Sequence, residues 1–192
     1  VVGHAEHEEV EGTRGSVNGP VQVVGTLEEI AALPMSRDAP VAYVTQTTLS
    51  MNDTRELIAA LEERYPDIVG PGLEDICYAT MNRQRAVQQL ARRVDLIIVV
   101  GAHNSSNSNR LQEVAADSGV PAWLVEDERE VQPIWLEGVG SVGLTAGAST
   151  PEYLVRRVSE KLTELGAASV RELPGLAETV RFRLPDSLSQ AG

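Results

Sequence analysis

Short apolar blocks alternate along the chain with longer segments in which apolar residues recur at helical spacing. The blocks Val21–Val24, Val41–Val44, Leu96–Val100, Ala122–Val125 and Ser141–Leu144 predict strands. The segments Leu27–Leu33, Asn52–Tyr65, Arg83–Arg93, Asn107–Ser118 and Glu152–Leu165 predict helices. In Asn52–Tyr65 the stripe is Leu57, Ile58, Leu61 and Tyr65, one face of a helix packed on a sheet, and Pro66 stops it. Strand and helix in alternation is the pattern of an α/β protein with parallel strands. Pro71-Gly72 marks a turn, and the expected organisation is two small parallel-sheet α/β domains, 1–74 and 75–166. A C-terminal piece, 167–192, follows Gly166 as a helix C-cap. Within it Val180–Leu184 alternates polar and apolar residues and reads as a late strand, with a polar tail after it.

A loose repeat lies over this pattern. Three apolar strands each run into a small, polar cluster and then a helix: Val41 to Ser50, Leu96 to Ser108, and Ser141 to Thr150. Parallel α/β sheets bind ligands beyond the carboxyl ends of their strands, where helix N-termini offer free N–H groups and the positive end of the helix dipole. Thr47, Thr48, Ser105, Ser106, Asn107 and Ser149 add neutral donors at those ends, a cradle for a diphosphate that uses no lysine. Helix capping alone accounts for any one cluster, since Ser, Thr and Asn are favoured caps worth about 1 kcal/mol each. Three clusters at equivalent positions exceed what capping requires.

Composition narrows the partners. The 192 residues carry 16 basic and 28 acidic side chains, a net charge of -12 that opposes nonspecific binding to DNA or RNA. A few oriented donors can still hold a small phosphorylated ligand against a screened distant field. No apolar run approaches the roughly 20 residues of a membrane span. A single cysteine excludes an intrachain disulfide framework and fits a reducing compartment, of which the cytoplasm is the simplest. The opening Val-Val-Gly-His-Ala-Glu-His carries no secretory pattern and no starting Met, and the expectation is a chain that begins inside a longer protein.

Two further stretches carry chemistry. Gly3–Thr13 packs two His and four Glu into eleven residues, and His7 with Glu9 sets an imidazole beside a carboxylate suited to proton transfer. Its bland counterpart is a solvated acidic helix start. The other stretch is Asp75-Ile-Cys-Tyr-Ala-Thr-Met-Asn-Arg-Gln84, which holds Cys77, the only cysteine. A lone Cys is commonly a small buried hydrophobe, whereas a thiolate at a helix N-terminus is a nucleophile or a metal ligand.

Taken together, residues 3–13, Thr45–Ser50, Asp75–Gln84, Asn104–Leu111 and Thr145–Pro151 resemble the 4-hydroxy-3-methylbut-2-enyl diphosphate reductase family, in the family's order across nearly the whole chain. The resemblance implies a three-domain trefoil around an iron-sulfur cluster, with Cys77 as one of three ligands to a 4Fe-4S cubane. It also implies that His7, Thr47, Thr48, Ser105, Ser106, Asn107 and Ser149 bind substrate, and that Glu9 and Thr47 act in protonation. The implied reaction is reductive dehydroxylation to isopentenyl and dimethylallyl diphosphates, with electrons from a carrier such as ferredoxin or flavodoxin. This sequence departs from the family in having Glu8 where proline is usual and Arg14 where Met is common. The first family domain, with two further cysteines, has no counterpart in it. The expectation is therefore the C-terminal two-thirds of such an enzyme, inactive alone. The alternatives are a cluster-free diphosphate-binding module and a thiol-dependent enzyme using Cys77.

Overall fold

A computed structural model describes residues 1–175. Val180–Leu184 lies outside the described residues. The elements run α1 (Glu8–Ser16), α2 (Leu27–Ala31), α3 (Met51–Arg64), α4 (Tyr78–Ala91), β1 (Leu96–Val100), α5 (Ser106–Asp117), β2 (Ala122–Val125), β3 (Val142–Ala146) and α6 (Glu152–Glu164). Two short 3-10 turns, Glu128–Glu130 and Pro133–Leu136, lie between β2 and β3.

The second half is a three-stranded parallel sheet in the order β2-β1-β3. Its centre is β1, Leu-Ile-Ile-Val-Val, all five residues buried, because helices cover both faces. Strand alternation sends Ile97 and Val99 toward Val87 of α4 and Leu111, Val114 and Ala115 of α5. Ile98 and Val100 face the other way, toward Val125, Ala146, and Val158 and Leu162 of α6. Gly143 of β3 admits the close approach of α4, since a Cβ there would lie 2.5 Å from Leu90 Cδ2. Helix ends follow ordinary rules: Gly119 (φ +83°) follows α5 and Gly166 (φ +115°) follows α6, left-handed positions that favour glycine.

The first half is parallel as well, but its strands shrink. Val21–Val24 and Val41–Val44 do not form full strands and are corrected to single-bridge contacts, Val2 with Val24 and Val2 with Thr45, and Ala42 with Val69. The segment between the two blocks is the short Val1–Gly3, which turns away at His4. It has room for one bridge on each side: Val2 N–H donates to Val44 O (2.9 Å), and Gly3 N–H to Val24 O (2.9 Å). Helix α2 is held by a capping box in which Thr26 Oγ1 accepts from Glu29 N and Glu29 Oε2 accepts from Thr26 N. The core of this half gathers Val2, Val24, Ile30, Tyr43, Leu57, Ile58, Leu61 and Tyr65.

Other boundaries move. α4 begins at Tyr78, five residues before the expected Arg83, which makes Cys77 its N-cap residue. β3 shifts from Ser141–Leu144 to Val142–Ala146. α1 was not among the expected helices; the acidic helix start weighed for its residues is its first turn. Among the described residues, no helix is long and apolar enough to cross a membrane.

Candidate functional site

The seam between the two halves is stitched by polar contacts from the loops at the strand ends. Glu9, on the first turn of α1, grips Thr47: its Oε1 accepts from Thr47 N (3.0 Å), and its Oε2 accepts from Thr47 N (3.2 Å) and Oγ1 (3.1 Å). On its other side Thr47 O accepts the Cys77 N–H (3.1 Å). Thr47 therefore links the carboxylate and the residue that carries the thiol. Cys77 is exposed, free, and makes no side-chain cap bond to α4.

His7 is the N-cap of α1, and its Nδ1 accepts the Glu9 N–H (3.2 Å). That contact leaves the ring proton on Nε2, which donates to Ser106 Oγ at 2.7 Å. The bond spans 99 residues and brings the His-Glu stretch onto the first turn of α5. Ser105 caps that helix, its Oγ accepting from Ser108 N (3.3 Å) and from Ser108 Oγ (3.1 Å). Asn107 is 8% exposed, and both its Nδ2 and Oδ1 are buried without a partner among the described residues. A buried amide with nothing to bind is rare and costs stability. Glycines make the approach possible: a Cβ on Gly101 would meet Ser108 Oγ at 2.1 Å, and one on Gly147 would meet it at 2.2 Å.

Thr48 lies on the same wall, its Oγ1 accepting from Gln46 Nε2 (2.9 Å). A cleft of about 200 Å³ opens there between His4, Gln46, Thr48, Ser106 and Arg110. Ser149 is exposed on the loop after β3, beside Thr150, whose Oγ1 donates to Val100 O (2.9 Å). The structure thus brings Glu9, Thr47 and Cys77 into one chain of contacts, joined through the Glu9 N–H to His7 and Ser106, while Ser149 is exposed and makes no hydrogen bond among the described residues.

Three members of the Asp75–Gln84 stretch went unassigned in the sequence. Asp75 Oδ2 accepts the Thr45 N–H (2.9 Å). Gln84, 1% exposed, accepts from Met51 N at Oε1 (3.0 Å) and donates from Nε2 to Leu49 O (2.7 Å). Arg83 Nη1 donates to Ala146 O at the end of β3 (2.9 Å). Gln84 is a polar residue on the buried face of α4, which apolar periodicity passes over, and Asp75 lies in the turn before that helix.

Fold and geometry define the class: a parallel α/β protein whose loops bring hydroxyls, an imidazole and a carboxylate into hydrogen-bonded contact, with a lone cysteine at the start of an adjoining helix. The LytB protein family model matches residues 1–163, and the chain belongs to that family. It is 51% identical over 188 residues to the 4-hydroxy-3-methylbut-2-enyl diphosphate reductase of Zymomonas mobilis, covering 98% of this chain and 55% of that protein. It is 52% identical over 191 residues to 4-hydroxy-3-methylbut-2-enyl diphosphate reductase 1 of Rhodopseudomonas palustris, covering all of this chain and 62% of that protein. Among solved structures, the E-1-hydroxy-2-methyl-but-2-enyl-4-diphosphate reductase from Plasmodium falciparum superposes with a TM-score of 0.92 at 31% identity, over 98% of this chain and 60% of that one. The chain therefore spans only 55% to 62% of the length of these proteins.

Proposed function

We propose that this chain is the larger part of a reductase that removes the allylic hydroxyl of 4-hydroxy-3-methylbut-2-enyl diphosphate, with two electrons and protons, to give isopentenyl and dimethylallyl diphosphates. The observation that carries the reading is the meeting of Glu9, Thr47 and Cys77 within one set of hydrogen bonds, with the His7–Ser106 bond opening onto the α5 N-terminus. In this reading His7, Thr48, Ser105, Ser106, Asn107 and Ser149 bind the diphosphate, Asn107 gaining the partners it lacks. In the same reading Glu9 is the carboxyl that supplies a proton to the substrate, and Thr47, whose hydroxyl donates to Glu9 Oε2 here, supports the relay. The halves divide near residue 74, in keeping with separate apolar cores.

The relatives' shared function brings in an iron-sulfur cluster. One exposed sulfur is all this chain offers, and among the described residues no group of three or more His, Cys, Asp or Glu can hold a metal. That donor set does not fit a 4Fe-4S cubane, which is held by several cysteine thiolates. The remaining ligands belong to sequence outside these residues, and Cys77 is one share. Electrons come from a carrier such as ferredoxin or flavodoxin, in a reducing compartment such as the cytoplasm.

Anaerobic iron-sulfur reconstitution of a gene product spanning the family's length tests this. We expect visible cluster absorbance and substrate reduction in that protein, and loss of the absorbance on Cys77→Ser. A Cys77→Ser protein that keeps its cluster reassigns the ligand. A full-length product that takes up no iron leaves the second reading, a cluster-free diphosphate-binding module, which the lone sulfur favours.

A further inference from the structure

We propose that His103 is the positioning residue of the loop that presents Ser105 and Ser106, acting through Glu126 and Glu130, a role that rests on the diphosphate reading above. The loop runs from Gly101, just past β1, to Ser105, the N-cap of α5. Its backbone makes one turn of its own, Ser105 N–H to Ala102 O (3.0 Å), and Gly101 N–H reaches Val125 O (2.9 Å). Among the described residues, every hydrogen bond that a side chain makes with residues 101–104 falls on His103. Its N–H donates to Glu126 Oε1 (3.1 Å), and its ring Nε2 meets Glu130 Oε2 (3.0 Å) and Oε1 (3.2 Å). Its carbonyl accepts from Asn109 Nδ2 (2.7 Å), an amide that also donates to Ser105 O (3.0 Å). Glu126 N–H donates in turn to Glu130 Oε2 (2.9 Å), so the two carboxylates after β2 form one clamp on the loop.

One residue beyond the cap, Ser106 Oγ carries the 2.7 Å bond to His7 Nε2. A shift of the loop therefore moves both hydroxyls and loosens that contact across the seam. The charges that face the His103 ring are Glu126 and Glu130. Asp127 is turned to Arg129 and Glu128 to Arg157, and α5 contributes only the neutral Asn109. A neutral imidazole makes an ordinary hydrogen bond to Glu130, whereas a protonated one makes an ion pair, the stronger contact. Imidazoles pass between these forms across the neutral range. The clamp thus tightens as the pH falls and slackens as it rises. With the two side chains 55% and 40% exposed, the gain is modest, and it bears on the order of the loop more than on the fold.

Calorimetric titration of the 192-residue chain with inorganic pyrophosphate, between about pH 6 and pH 8, tests this together with amide hydrogen exchange on the ligand-free chain. Each variant is compared with the unaltered chain at the same pH, which cancels the titration of pyrophosphate itself. We expect His103→Gln to bind about two- to fivefold more weakly at the acid end and nearly as well at the alkaline end. His103→Lys, charged throughout, should keep the affinity and lose that dependence on pH. Glu130→Gln is the deciding variant: loss of a negative charge strengthens anion binding through the field alone, whereas a slackened loop weakens it, and weaker binding is expected. Exchange at the Ser105 and Asn109 amides should quicken in His103→Gln and Glu130→Gln, while the β1 amides keep their protection. Affinity ratios that do not vary with pH, stronger binding by Glu130→Gln, or unaltered loop exchange overturns the role of His103 and leaves the diphosphate reading standing. No pyrophosphate binding by the unaltered chain overturns the diphosphate reading, and the role of the clamp in it falls too.

Discussion

At the scale of single residues, Asn107 is buried at a cost to stability. Its amide is buried with four unused hydrogen-bonding positions, and no described neighbour relieves them. Removing the amide takes away an unsatisfied polar group and leaves a small gap, two effects that oppose each other. Asn107→Ala should therefore leave the melting temperature within a few degrees of the parent, where a buried and satisfied Asn would cost about 1–3 kcal/mol. Pyrophosphate affinity should fall about tenfold or more, the loss expected of contacts to a charged ligand. Thermal melts and calorimetry on the same sample check both, and a marked destabilisation with intact affinity would show that the amide is structural. Ser105 differs from Asn107 in that its Oγ already accepts from Ser108 N and Ser108 Oγ in capping α5, which leaves its hydroxyl proton to donate.

At the scale of elements, Gln84 ties α4 to the entrance of α3. Its amide satisfies Leu49 O and Met51 N across the seam, at the entrance to α3. Gln84→Leu keeps the volume and strands both backbone groups, a change expected to cost about 2–4 kcal/mol. Urea denaturation should show a lower midpoint with an unchanged slope, and a midpoint within error of the parent would mean the seam re-forms through water. The buried positions of α4, Thr80, Gln84, Val87 and Ala91, follow helical spacing, but the first two are polar. Apolar periodicity therefore begins only beyond Arg83, and the first turns of the helix are invisible to it. α1 is hidden for a related reason: it buries one residue, Val10, and contains Gly12 and Gly15, so neither stripe nor propensity announces it. β1 stood out because a strand covered on both faces is apolar at every position. Glu9, His7 and the α5 cluster were legible as residue types, since strand-end hydroxyls and an imidazole beside a carboxylate are unusual enough to read. The Glu9 grip on Thr47 and the Arg83 contact with β3 join residues 38 and 63 positions apart, a separation no local pattern encodes.

At the scale of the whole molecule, the apolar cores do not cross the seam. One gathers residues between Val2 and Tyr65, and the other two lie on the faces of the β1 sheet. Polar contacts join the halves: His7 with Ser106, Thr45 with Asp75, Gln84 with Leu49 and Met51, and an exposed Arg110–Asp53 pair. Such contacts are individually worth about 1 kcal/mol, whereas each core is held by many buried side chains. The halves should therefore open separately, a property suited to a site that must admit a charged ligand between them. Ile98→Ala tests this, because Ile98 is fully buried at the centre of the sheet and its truncation should cost about 2–5 kcal/mol. Hydrogen exchange should then show faster opening of the β1 and α5 amides, with the Val2, Val24 and Gln46 amides of the first half keeping their protection. If both sets lose protection equally, the seam couples the halves into one unfolding unit. Ligand entry would then need a local movement of the loops at the strand ends, with no separation along the line near residue 74.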